Sequence, residues 1–513
     1  MLAARRFVLS SRILSRFKFV GCFGDSFELS FNLSAKDWVK NVTTEASWRD
    51  WVNASKMDNV LDGIGKLMNN ELDWPGFWDR LHSELKKQPW WDEKLVQSLQ
   101  EPKDIFSGLA EKMGIAELKS PLIVLLLMRF HSQQRVNELL PSSENPPDVG
   151  SGVSDRLLAE ACHFLRVSDL VYKSNPEEAG IARRDLLLNV MSDEDPNFDA
   201  SLPRHAVFVD HLTRNVIVVV RGTMTLRDVI SDLVAIPAPV LDGRGHSHKG
   251  IAKHAEDMLP TVMPVLRKAL ESLPGYKIVL TGHSLGAGVA IMIALCLRHR
   301  AREWSAGLPE GALADMSVFA FAPPPVWTPL DSLSPDDVAN IHVFVNNSDI
   351  VPRSTMRNLE VTVNCMKHID RAIAGLDSMQ LMKVVAGMEG DEQKVREVLE
   401  VVGEAVDKSD RDAEAGLSGE GGGEEFLHEQ LFHPGRIFHL FPTAPNNQEE
   451  DARLRMGKGT LPADTYELQE LPADRLALAH AVEGDSFVSD HLTEGYIKAL
   501  QRLERSTRLQ LSA

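Results

Sequence analysis

Lys277-Ile278-Val279-Leu280-Thr281-Gly282-His283-Ser284-Leu285-Gly286-Ala287-Gly288 decides how the rest of this chain is read. An apolar run of strand character, Lys277 to Thr281, enters a Gly-x-Ser-x-Gly turn, and a helix of small and apolar residues, Ala287 to Leu297, leaves it. A serine hydroxyl is a poor nucleophile unless a sharp strand-to-helix turn presents it, and glycine on both flanks removes the Cβ atoms that would clash there. Ser284 is therefore the candidate nucleophile, with Gly282 and Gly286 shaping the elbow. The same turn sets the backbone N–H of Leu285 and the positive end of the following helix beside any oxyanion formed on an attacked carbonyl.

A nucleophilic serine needs a base and a group that orients the base, and around an elbow these follow in the order Ser, Asp or Glu, His. Downstream, the apolar run Ile341 to Val345 leads into Asn346-Asn347-Ser348-Asp349, which puts a carboxylate at the carboxyl end of a strand, where α/β sites are built. Asp349 is the candidate orienter. His433, His439, His480 and His491 all lie far enough along to supply the base. His491 is best placed, in a short loop before the helical stretch Leu492 to Arg508, with His480 in reserve; His439 sits inside the strand-like run Arg436 to Phe441 and reads as a core histidine. Upstream, Val216 to Val220 ends at Arg221-Gly222-Thr223, where Gly222 permits close backbone approach and Thr223 offers an N–H and a hydroxyl as the second oxyanion donor.

With 513 residues the chain exceeds one ordinary domain, so two units, or one unit with large insertions, are expected. Fifty-five basic against 73 acidic residues give a net charge of −18, which argues against nucleic acid as a partner because phosphate neutralisation needs a basic surface. Cys22, Cys162, Cys296 and Cys365 are widely spaced and match no ligand pattern, so no metal and no cofactor is expected. No apolar run reaches the ~20 residues needed to span a bilayer.

Residues 1–24 carry Arg5, Arg6, Arg12, Arg16 and Lys18, several serines and no acid, with Leu9, Ile13 and Phe17 on one helical stripe edged by Arg6 and Arg16; a targeting segment and a plain disordered basic tail both fit, and cytoplasm and organelle both stay open. Residues 25–140 read as a helical amino-terminal region holding seven of the nine tryptophans, and 141–154 as a Pro, Gly and Ser-rich linker. From 155 to 513 strands alternate with helices, which implies a sheet with helices on its faces. Inside that unit lies an insertion at about 370–430, whose stretch 391–430 holds 13 acids and 4 bases; this composition predicts a solvated, disordered segment. Were it a regulatory flap, deleting 391–430 would raise basal activity.

Val220-Arg-Gly-Thr223, the spaced acids Asp228 and Asp232, His248-Lys-Gly250, Gly282 to Gly288, Asp349-Ile-Val-Pro-Arg353 and Asp490-His491 occur in the order found in class 3 lipases, and the set resembles the diacylglycerol lipase branch most. The resemblance spans about 155 to 508 and implies an α/β-hydrolase fold. It implies Ser284, Asp349 and His491 as triad, Thr223 and Leu285 as oxyanion-hole donors, and a short lid over Leu233 to His248. The implied reaction is hydrolysis of a glycerolipid ester, diacylglycerol first, at a membrane or droplet surface through an acyl-enzyme. Phospholipase A1, galactolipase or esterase specificity on the same fold, and a non-catalytic interaction scaffold, are the alternatives.

Overall fold

The computed structural model describes residues 16–20, 26–30, 126–127, 130–131, 154–172, 182–191, 201–223, 237–376, 381, 392–418, 430–443, 465–472, 476, 480 and 490–512. Of the expected linker at 141–154 only Ser154, which caps the helix that follows, is described, and nearly all of the expected helical region lies outside the described residues. In the basic amino-terminal stretch, β1 (Arg16–Val20) pairs antiparallel with β2 (Ser26–Ser30), so Phe17 belongs to a strand and not to the helical stripe expected there, and residues 26–30 of the region expected as helical are also a strand.

Among the described residues the central sheet has eight strands. In chain order they are β3 (Leu186–Val190), β4 (His205–Asp210), β5 (Asn215–Val220), β8 (Lys277–His283), β9 (Ser317–Phe321), β11 (Ile341–Asn346), β12 (Arg436–Thr443) and β13 (Thr465–Leu471), and they lie side by side in that same order. From β5 to β12 neighbours run parallel; β3, β4 and β13 supply antiparallel edges. The apolar runs are continuous because both faces are covered. Val216, Val218, Val220, Ile278 and Leu280 face one side, packed by α2 (Lys249–Ser272) and α3 (Leu285–His299). Ile217, Val219, Val279, Phe319 and Phe344 face the other, packed by α1 (Asp155–Leu170) and α6 (Thr493–Ser512). This is the α/β-hydrolase arrangement, and it brings the carboxyl ends of β5, β8 and β11 to one rim.

Two expectations change. The segment expected as a lid divides: β6 (Pro237–Val240) and β7 (Gly245–His248) form a hairpin paired to β10 (Trp327–Thr328), while 233–236 lie outside the described residues. Trp327 is fully buried, and the His248 imidazole caps α2 by accepting the Ile251 N–H at 3.3 Å, so 237–248 is tied by pairing and packing to the body of the fold. The acidic insertion is not disordered through 392–418. It forms α5 (Glu392–Ser418), packed along α4 (Met356–Ile373), with Val398, Leu399, Val402, Ala405, Val406 and Ala413 buried. Glu397, Glu400, Glu404 and Asp407 are exposed, and an apolar stripe at helical spacing supplies the burial that composition alone concealed. Among the described residues no helix is long and apolar enough to cross a membrane.

Candidate active site

The turn after β8 is as tight as its sequence demands. Ser284 holds φ 60° and ψ −133°, a left-handed backbone that costs a non-glycine residue about 1–3 kcal/mol and persists only when its surroundings enforce it. They do so by close approach: a Cβ on Gly286 would lie 2.2 Å from the Val220 carbonyl oxygen, and one on Gly282 2.6 Å from the Gly286 carbonyl carbon. The Ser284 N–H is held by the Phe321 carbonyl on β9 at 2.9 Å. Behind the elbow, every residue of α3 from Gly286 to Leu297 is buried, which anchors the turn.

Three side chains meet above this turn. His491 Nε2 lies 3.1 Å from Ser284 Oγ, and His491 Nδ1 lies 3.0 and 3.2 Å from the two Asp349 oxygens. All three residues are buried. Because Asp349 is an acceptor, its bond fixes the Nδ1–H tautomer and leaves the Nε2 lone pair facing the serine hydroxyl. Asp349 is further gripped: Oδ1 accepts the Val351 N–H at 2.9 Å, and Oδ2 accepts the Tyr496 hydroxyl at 2.7 Å. Burial, reinforced by the adjacent Asp349 charge, raises the Tyr496 pKa well above its ordinary value, so it stays a donor.

The remaining candidate histidines are engaged elsewhere. His439 Nε2 meets the Asn347 carbonyl, His433 Nε2 meets the Pro352 carbonyl, and His480 bonds His131 at 2.8 Å and faces Asp410 on α5 at 3.2 Å.

Gly222 and Thr223 follow β5 at the same rim. A Cβ on Gly222 would meet Ser284 Cβ at 2.9 Å, so the backbone there passes directly against the nucleophile. The Thr223 hydroxyl oxygen, one residue further on, is buried with no hydrogen-bond partner among the described residues. Leu285 is the first residue of α3, and the first amides of a helix lack intrahelical acceptors. Residue 222 at the end of β5 and the start of α3 after β8 are thus brought to the same rim as Ser284.

Three supporting side chains carried no local signal in the sequence. Tyr172, just past α1, accepts the Gly222 N–H at 3.2 Å and reaches His283 Nδ1 at 3.1 Å. His283 Nε2 in turn meets the His491 carbonyl at 2.7 Å. Burial, with a smaller contribution from His491, lowers the His283 pKa to about 3, so it is neutral and has one donor and one acceptor nitrogen. The directions are then settled: Tyr172 donates to Nδ1, and Nε2–H donates to the His491 carbonyl. Tyr496 is the third. These partners lie 50 to 208 residues apart in sequence, a separation no short motif encodes.

Residues 217–359 match the family model described as lipase (class 3). Diacylglycerol lipase-beta of Mus musculus is 33% identical over 177 residues, covering 31% of this chain and 24% of the relative. Diacylglycerol lipase-alpha of Homo sapiens is 29% identical over 169 residues, covering 30% of this chain and 15% of the relative. The lipase of Rhizopus niveus is 28% identical over 117 residues, covering 23% of this chain and 28% of the relative. The chain therefore spans only 15 to 28% of the length of these relatives. Among solved structures, the native Rhizomucor miehei lipase propeptide complex aligns with a TM-score of 0.32 at 19% identity, covering 41% of this chain and 72% of that one. The chain is similar to class 3 lipases, diacylglycerol lipases among them.

Proposed function

We propose, on the premise that residues 217–359 are a class 3 lipase segment, that this chain is a serine lipase cleaving a glycerolipid ester through an acyl-enzyme. The observation that carries the reading is the unbroken contact series from Asp349 through His491 to Ser284 Oγ. In this mechanism His491 Nε2 takes the Ser284 proton as Oγ attacks the ester carbonyl, and Asp349 stabilises the imidazolium that forms. The tetrahedral oxyanion is met by the N–H groups of Leu285 and Thr223 and by the Thr223 hydroxyl. His491 then protonates the departing glycerol oxygen. Water repeats the sequence on the acyl-enzyme and restores Ser284.

Diacylglycerol is the substrate we propose, supported by the similarity to mammalian diacylglycerol lipases. The lipid would be drawn from a membrane or droplet surface. Two measurements test this. Fluorophosphonate labelling should mark the wild type and vanish in Ser284→Ala; a folded wild type that does not label sinks the mechanism. Hydrolysis of a panel of diacylglycerol, phosphatidylcholine, galactolipid and p-nitrophenyl esters should favour diacylglycerol. Preference for phosphatidylcholine or galactolipid would reassign the substrate to a phospholipase A1 or galactolipase while leaving the mechanism intact.

A further inference from the structure

We propose that Asp490 is a positioning residue that sets the register between the base His491 and the acid Asp349, an inference that rests on the hydrolase reading above. The two triad members lie 142 residues apart in sequence, so nothing covalent holds them at bonding distance. Besides Tyr496, which accepts the Asn346 N–H at 2.9 Å and donates to Asp349, the residue that joins their loops is 490. The Asn346 side-chain amide donates to the Asp490 carbonyl at 3.0 Å, the Asn347 side-chain amide donates to Asp490 Oδ2 at 2.7 Å, and the Ser348 N–H donates to the same oxygen at 3.1 Å. Three consecutive residues immediately before the acid thus converge on the one residue immediately before the base.

The donor side of this junction is rigid. Asn347 adopts φ 45°, a left-handed conformation that asparagine tolerates better than most residues. Its N–H donates to the Leu440 carbonyl at 2.9 Å, and its own carbonyl accepts from Arg353 Nη2 at 3.0 Å and His439 Nε2 at 2.9 Å. Arg353 is buried and also donates to the Asp349 carbonyl at 2.7 Å, so the acid loop is fixed to β12 and to the turn that follows it. On the base side, the His491 carbonyl is held by His283. A carboxylate at 490 suits the gap between the two, since charge-assisted hydrogen bonds are about twice as strong as neutral ones and one of its oxygens takes both N–H groups. Asp490 acts through the placement of its neighbour.

The test uses the full chain, a fluorophosphonate probe and p-nitrophenyl butyrate. Misplacement of a catalytic group by about 1 Å costs roughly a hundredfold, so Asp490→Asn is expected to lower kcat and the labelling rate by about ten- to a hundredfold with KM changed less than about twofold. The exchange N347D/D490N should recover at least about tenfold of that loss, because one amide again faces one carboxylate. A wild-type kcat in Asp490→Asn overturns the proposal, as does a loss that merely tracks the unfolded fraction, or an exchange that recovers nothing. Should Asp490→Asn fail to fold, the same split between kcat and KM is read on Asn347→Ser, where an unchanged kcat overturns it. A wild type that neither labels nor hydrolyses overturns the hydrolase reading itself, whereas a reactive wild type with an equally reactive Asp490→Asn removes this proposal alone.

Discussion

Thr223 sets stability against activity within one side chain. Its hydroxyl is buried without a partner among the described residues, and an unsatisfied buried polar group costs about 1–3 kcal/mol. If that hydroxyl serves the oxyanion, Thr223→Val should leave the melting temperature unchanged or raised while kcat falls by roughly 10²–10³, and Thr223→Ser should keep most activity. Thermal melts alongside kcat for both variants check this; equal activity in Thr223→Val would remove the hydroxyl from the reaction. At this scale the sequence was readable where chemistry is local. Ser284 announces itself because its two glycine flanks and the strand before it are contiguous, and Asp349 because it ends an apolar run. Tyr172 and Tyr496 do not, since a tyrosine gains its role here only when a distant strand end arrives beside it.

The element that most changes the reading is α5. Thirteen acids in 391–430 suggest a chain that cannot bury enough apolar surface to fold, yet Val398, Leu399, Val402, Ala405 and Val406 recur at helical intervals and cover α4. The periodic signal was present; composition averaged over the segment hid it. Removing 391–430 therefore strips packing from α4, and the expected first consequence is lost stability. A narrower probe is Val402→Asp, which buries an unpaired charge on that face and should cost at least about 3 kcal/mol. Limited proteolysis within 392–418 should accelerate in the variant, and unchanged protection would show that α5 is not held by this stripe. Strand β13 was also illegible, because Thr465–Leu471 interleaves polar and acidic residues and lacks the continuous apolar run of the central strands.

Across the whole molecule, buried histidines of opposite habit set the response to pH. Burial lowers His283 to about 3 and, as the leading cause, His342 and His433 to about 4. An unfolded chain binds protons at these sites near pH 6.5, and the folded chain does not, so stability falls as pH drops from about 6.5 toward 3 to 4. His480 behaves in reverse. Burial alone would lower it, but Asp410 and Cys365 hold it up to about 10, so its contribution is complete below about pH 6.5 and is lost as pH rises through 10. Melting temperature should therefore peak near neutrality, and His480→Gln should flatten the alkaline limb only. Net charge gives a second expectation at this scale. With −18 overall, hydrolysis of diacylglycerol in phosphatidylserine-containing vesicles should be slower than in neutral vesicles at low salt, and added salt should narrow the gap.

The junction at Asp490 has an architectural consequence. By fastening the chain immediately before the acid to the chain immediately before the base, it turns everything between Asp349 and His491 into a handle with both ends clamped. Closing a longer handle costs little, about 0.6 kcal/mol for each doubling of a flexible loop. Extra sequence can therefore be spliced into that span, whole helices included, while the two grips keep the reacting groups where they were.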